Sequence, residues 1–322
     1  MKKPALVLAL LALALSSQAR GICVLESPAE PPANGTVLKG LRIHEWGVFL
    51  LGGKGVHAGA GGEPPTFIQR VEMPSEPAPE PEPLSVDKPV LHIYAPKPID
   101  LEVRVAFPGG TPKLAWPRGT PVWTGCQEKA PGISWSLKVG GEGEPQPPKV
   151  PDGHWIGLTR KVGSDRVCAG NDVERFLFYE GAVGNLQVGV SVDRDGQGCM
   201  LSSATVDEAW LLEAGDGSLA CLHDGKLITP PGMMRKRGFV PAKGTSKEAL
   251  RAEFDKVLAT AGLSDKESAA VLDIWMPELV KPGKRLVYVL PREEYDRLLP
   301  IVFDPMPEEL KRVGLVIQEI QP

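Results

Sequence analysis

The chain has 322 residues, 36 of them basic and 40 acidic, for a net charge of −4. Its one compact basic cluster, Arg235-Lys236-Arg237, reads as a solvated loop flanked by Pro231 and Gly238, so the broad basic face that a nucleic-acid partner requires is missing. With 36 Gly, 33 Pro and 6% aromatic residues, the composition points to a loop-rich β protein of one large or two medium domains.

Residues 1–19 have the three parts of a secretory signal peptide. Lys2 and Lys3 precede an apolar run from Ala5 to Leu15, and Ser17-Gln18-Ala19 offers small residues for cleavage. The run is too short for the ~20 residues that span a bilayer. Ile22 and Arg20 before Cys23 do not fit a lipidation signal. The expected product is soluble, carries no membrane anchor after cleavage, and resides in the periplasm or outside the cell. Losing Lys2 and Lys3 from the 36 basic residues leaves 34 against 40 acidic ones.

A polar leader over 20–40 carries the formal glycosylation sequon Asn34-Gly35-Thr36. Residues 41–51 read as the first strand. Gly53-Lys54-Gly55-Val56-His57-Ala58 matches a loose dinucleotide pattern. However, Gly59, Gly61, Gly62, Pro64 and Pro65 stand where the phosphate-cradling helix belongs, so a loop is expected. Residues 72–87 alternate Pro and Glu and read as a long acidic loop.

From Lys88 the texture becomes β. Leu101, Val103 and Val105 alternate with Asp100, Glu102 and Arg104, the period of a half-buried strand. Further strands are expected at 90–94, 175–179, 186–192, 200–206, 209–212 and 219–222. Asp195-Gly196 and Gly215-Asp216-Gly217 serve as turns between them, and Trp116, Trp123, Trp135 and Trp155 sit among Gly and Pro. Such spacing predicts an antiparallel sandwich or barrel-like core over 41–240.

Residues 241–322 read as a smaller α+β unit. A helix is expected over 246–261. A second starts at the capping box Ser264/Glu267 and stops before Pro277. A strand over 285–290, short helices over 292–299 and 305–311, and a strand over 313–320 follow.

His44-Glu45-Trp46-Gly47-Val48-Phe49, Glu174-Arg175-Phe176-Leu177-Phe178-Tyr179-Glu180-Gly181 and Leu290-Pro291-Arg292-Glu293-Glu294-Tyr295 occur in this order. Together they resemble a group of exported bacterial proteins marked by a His-Glu-Trp-Gly-Thr-Phe segment and an Arg-Phe-Leu-Phe-Tyr segment. Val48 replaces the group's Thr. The resemblance implies export and one architecture across roughly residues 41–320, and it implies no catalytic residue.

The candidate binding residues are His44, Glu45, Trp46, His92, Arg175 and Tyr179. A metal-binding H-E-x-x-H would need His at position 48, which is Val48, so no metal is assigned. Adjacent strand residues face opposite ways, which separates His44 from Glu45. His44, His92 and His154 could converge only through the fold. Asp193-x-Asp195-Gly196 lacks the Glu of a calcium loop, since position 204 is Ala204. No nucleophile-base pattern is visible, and no cofactor is assigned.

Cys126, Cys168, Cys199 and Cys221 are disulfide candidates in an oxidising compartment. The simplest pairing is Cys126–Cys168 and Cys199–Cys221, one of three connectivities. The primary expectation is an exported binding or structural protein. The alternative is an exported hydrolase, with or without metal assistance, around His44, Glu45 and His92.

Overall fold

The computed structural model describes residues 35–51, 64–73, 84–125, 129–141, 146–187, 190–192, 198–201, 206, 209–215, 218–224, 235–238, 240–242 and 246–320. The signal peptide, the sequon's Asn34, the Gly-rich loop, most of the acidic Pro-rich loop, Asp195-Gly196, Cys23 and Cys126 lie outside the described residues.

The first strands are β1 (Val37–Leu51), β2 (Gln69–Arg70), β3 (Leu84–Tyr94), β4 (Ile99–Ala106), β5 (Thr111–Trp116), β6 (Thr120–Thr124) and β7 (Ala130–Val139). Helix α1 (Trp155–Arg160) precedes β8 (Val167–Ala169), β9 (Asp172–Glu174), β10 (Leu177–Val183), β11 (Val190–Val192) and β12 (Gly198–Leu201). Then come β13 (Ala209–Gly215), β14 (Ser218–Asp224), β15 (Arg235–Gly238) and β16 (Val240–Ala242). The chain ends with α2 (Lys247–Thr260), α3 (Asp265–Leu279), β17 (Gly283–Leu290), α4 (Arg292–Leu298), β18 (Ile301–Asp304) and β19 (Met306–Ile320).

The protein is mainly β, with two antiparallel-rich sheets and few helices. A ten-stranded sheet runs β16-β14-β13-β17-β19-β1-β3-β10-β5-β2. A six-stranded sheet has the path β18-β4-β7-β8-β9, with β6 paired to β7; β11, β12 and β15 form a separate three-stranded sheet. The six-stranded sheet covers one face of the large sheet: Val103, Val105, Trp135 and Leu137 pack with Ile43, Leu91, Tyr179 and Tyr288. Helices α1, α2 and α3 cover the other face, where Trp155, Phe254 and Trp275 pack with Val48, Val90, Trp210 and Leu315. Strands β1 and β3 are therefore buried on both sides, which explains their near-continuous burial.

The segment 241–322 supplies helices and strands, but its strands are shared out. β17 and β19 join the large sheet and β18 joins the small one. β19 runs parallel to β1, from Val37↔Met306 to Leu51↔Gln318. The expected boundary at 240/241 therefore does not divide the sheets.

Three local expectations are corrected. The helix expected over 305–311 is the start of β19, because pairing with β1 overrides the local helix-forming composition. α3 passes through Pro277 to Leu279, and the Val280 amide still donates to the Met276 carbonyl. The basic cluster Arg235-Lys236-Arg237 lies in strand β15, paired with β12 rather than in a loop. The capping box is present as read.

A bulge breaks β3 in the middle of the sheet. Its pairing with β1 shifts between Trp46 and Val48, and its pairing with β10 shifts between Phe178 and Gly181. Lys88 sits there with φ of 52°, a left-handed conformation that an L side chain adopts at a cost of about 1–2 kcal/mol. Gly47 faces the bulge. A Cβ on it would stand 3.3 Å from Pro89 Cα and 3.1 Å from the Tyr295 hydroxyl, so a side chain there would make its neighbours give by a few tenths of an ångström.

Candidate functional site

β1 carries His44 toward the helices and Glu45 toward the second sheet, so these neighbours enter different polar clusters. His44 and His92 are cross-strand partners on the helix-covered face. His44 Nδ1 is 3.0 Å from both carboxylate oxygens of Glu267, the third residue of α3. Its Nε2 lies 2.9 Å from Glu309 Oε1 on β19. The Tyr94 hydroxyl donates to Glu267 Oε1 at 2.8 Å, and the Arg42 guanidinium lies 5.3 Å from the Tyr94 ring centre.

Burial alone would lower the pKa of His44, but hydrogen bonds to Glu267 and Glu309 raise it above its ordinary value. Burial would likewise raise Glu267; the bonds from His44 and the Ser264 amide win and hold it down to about 2. The two groups form an ion pair with Tyr94 locked onto it.

His92 is fully buried, and burial holds its pKa down to about 4. Its Nδ1 lies 3.0 Å from the Ser164 hydroxyl, which itself donates to the Arg175 carbonyl. Ser164 must therefore accept from His92 Nδ1–H, which leaves Nε2 as a bare acceptor. That nitrogen has no hydrogen-bond partner among the described residues. The Arg175 guanidinium donates to the Ser164 carbonyl at 3.0 Å, which ties the Arg175 turn to this wall. Trp46 packs beside His92, with ring centres 6.4 Å apart.

Glu45 and Tyr179 meet in the layer between the sheets. The Tyr179 hydroxyl donates to Glu45 Oε1, and Arg312 Nε donates to Glu45 Oε2. Arg312 also donates to Asp296 at 2.7 Å and to the Leu299 carbonyl at 2.8 Å, and its guanidinium lies 4.2 Å from the Tyr295 ring centre. Burial opposes charge on Arg312, but Glu45 beside it raises its pKa well above the ordinary value. The six candidates thus divide. His44, Trp46, His92 and the Arg175 turn share one wall, while Glu45 and Tyr179 lie behind the sheet.

A third cluster sits at the β3 bulge. Asp87, Lys88 and Glu180 are all buried. The Lys88 ammonium lies 5.8 Å from the Trp155 ring centre and 5.4 Å from that of Trp275. Burial first, and then the Asp87 charge, push Glu180 up to about 8.

Residue types missed in sequence include Glu267, Glu309, Tyr94, Arg312 and Asp296. Only Glu267 had a local signal, as a capping residue. His154 caps α1 by accepting from the Ile156 amide at 3.2 Å and takes no part in either histidine site. Among the described residues no group of three or more His, Cys, Asp or Glu side chains could hold a metal ion. The Cys126–Cys168 pairing is corrected: Cys168, half-buried on β8, is a free thiol. Cys199 and Cys221 lie on β12 and β14 of different sheets, with side chains outside the described residues.

An open cleft lies elsewhere on the described surface. At the β2 edge of the large sheet, Pro64, Pro65, Thr66, Ile68, Arg70, Val71, Glu72, Lys113 and Leu114 line a cleft of about 850 Å³. The turn that shapes it is closed by the Ile68 amide donating to the Pro65 carbonyl, and the Val71 amide bonds the Lys113 carbonyl to hold the edge in place. No family model, curated protein or solved structure matches the chain.

Proposed function

We propose that the protein is an exported, soluble binding protein of the envelope or extracellular space, with its ligand seated in the cleft at the β2 edge. The cleft carries this reading. Its volume lies in the range of about 300–1,000 Å³ of small-molecule sites, and its lining mixes apolar surface with a few charged groups. It lies at the end of a sheet whose centre is buried on both faces, so a rigid scaffold presents it. The signal-peptide pattern supports the location.

A thermal-shift screen of peptides, sugars and amphiphiles tests this. Ligands of the cleft raise the melting temperature of the wild type and lose that effect in Ile68→Trp, which fills the floor. If no compound stabilises the wild type, or every stabilising compound acts equally on Ile68→Trp, the cleft is not the seat.

One observation favours a second reading, an exported hydrolase using His44. Its partner Glu309 has a side chain 40% exposed, so that contact opens to solvent while Glu267 holds the ring from behind. Glu45 is no part of such a centre. Chromogenic ester, glycoside and peptide panels check it: turnover present in the wild type and absent in His44→Ala is required. Elemental analysis of the purified protein tests metal assistance.

A further inference from the structure

We infer that the cleft at the β2 edge takes a short apolar peptide with a free carboxylate and a free ammonium group. This rests on the cleft being the binding seat. The lining supplies three complementary surfaces. Ile68 and Leu114, from the helix-side core, form a buried apolar floor, with Pro64 and Pro65 at the rim. Val71 lines the cleft from the edge, and its side chain packs into the inter-sheet core. Arg70 and Lys113, on neighbouring strands, bring two cations to the same cleft. Arg70 is paired with Leu114, the neighbour of Lys113, and in the inferred complex Arg70 takes the carboxylate with Lys113 adding positive charge at the same rim. Glu72 is the single anion of the lining.

Spacing sets the size of the ligand. Arg70 and Glu72 are two residues apart along an extended edge, a rise of about 7 Å. An extended chain spans about 3.3–3.6 Å per residue, so the ends of a dipeptide or tripeptide match that separation. Arg70 and Glu72 are exposed, and neither makes a hydrogen bond or ion pair with the described residues. Their charges are thus available to a ligand. A purely apolar ligand would leave the Arg70 and Glu72 charges facing it unpaired, which disfavours it.

Titration calorimetry on the full mature chain tests this with Leu-Leu, N-acetyl-Leu-Leu and Leu-Leu-amide. Leu-Leu is expected to bind about tenfold more tightly than either blocked form, the penalty of one unpaired charged contact. Glu72→Gln removes the preference over the acetylated form, and Arg70→Gln with Lys113→Gln removes the preference over the amide. Both variants lie at exposed positions, and an unchanged melting curve checks their fold. Equal binding of free and blocked peptides, abolished by Ile68→Trp, overturns the ligand class and leaves the cleft as a seat. No binding of any of the three also overturns the ligand class, and the broader screen then decides the cleft itself.

Discussion

His44 and Glu45 are adjacent in sequence yet live in different electrostatic worlds. Glu45 sits between two sheets, its carboxylate and the Arg312 guanidinium both fully buried. His44 sits under the helices, with one carboxylate partner buried and the other 40% exposed. The strand's alternation makes this split, and the layers on each side give the two residues opposite roles. The inter-sheet cluster is a closed fastener. It joins β1, β10 and β19 with Asp296 of α4. The helix-side cluster pairs a His44 raised above its ordinary value with a depressed Glu267 and opens to water at Glu309. Charge that is sealed stabilises by pairing, whereas charge near an opening responds to pH.

Breaking the sealed cluster has the largest effect. Arg312→Met leaves the Glu45 carboxylate buried without its countercharge and also strips Asp296 and the Leu299 carbonyl of a donor. Removing one partner of a buried pair costs about 3–5 kcal/mol. Urea unfolding should show a loss of that size. A loss below about 1 kcal/mol would mean that the pair behaves as an exposed one, and the contrast between the two faces would collapse.

Glu267→Gln is the matching change under the helices, with an expected loss of about 1.5–3 kcal/mol for hydrogen bonds to a charged group. Its signature is pH dependence. The depressed carboxyl of Glu267 contributes stability above its unfolded value of 4.5, lost as pH falls toward about 2. The raised His44 contributes below its unfolded value of 6.5, lost as pH rises through its folded value. The wild type should therefore gain most from the pair between about pH 4.5 and 6.5. Unfolding measured at pH 3, 5.5 and 8.5 should show the wild-type advantage over the variant peaking at the middle value.

The period-two pattern of 101–107 and the capping box at Ser264 were legible because each is a local rule satisfied locally. β4 and α3 follow from them. The start of β19 was not. Pro305, Pro307, Glu308 and Glu309 read as a helix N-terminus, and the strand that overrides them, β1, lies more than 250 residues away. The site divides the same way. His44, Trp46 and His92 were visible as residue types, and alternation separated His44 from Glu45. Arg312, Asp296, Tyr94 and Glu309 had no local signal, since their partners are set by sheet order. The cleft escaped entirely, because Ile68, Arg70 and Lys113 become neighbours only when β2 pairs with β5.

The last expected effect has the opposite sign and sharpens the contrast. Glu180 lies beside the β3 bulge, where burial and the Asp87 charge push its carboxyl up to about 8 despite the pull of Lys88 and Lys113. Here the countercharges do not win. A carboxyl raised in the folded state contributes stability below its unfolded value of 4.5, and that contribution is lost as pH rises through about 8. Glutamine keeps the shape and cannot ionise. Glu180→Gln should therefore match the wild type near pH 4 and exceed it by about 3–5 kcal/mol near pH 9. Paired urea unfolding at the two pH values measures this. A wild type that is more stable than the variant at pH 9 would show that Lys88 pairs with an ionised Glu180, as Arg312 does with Glu45. The bulge would then be a second sealed fastener rather than a strained, titrating centre.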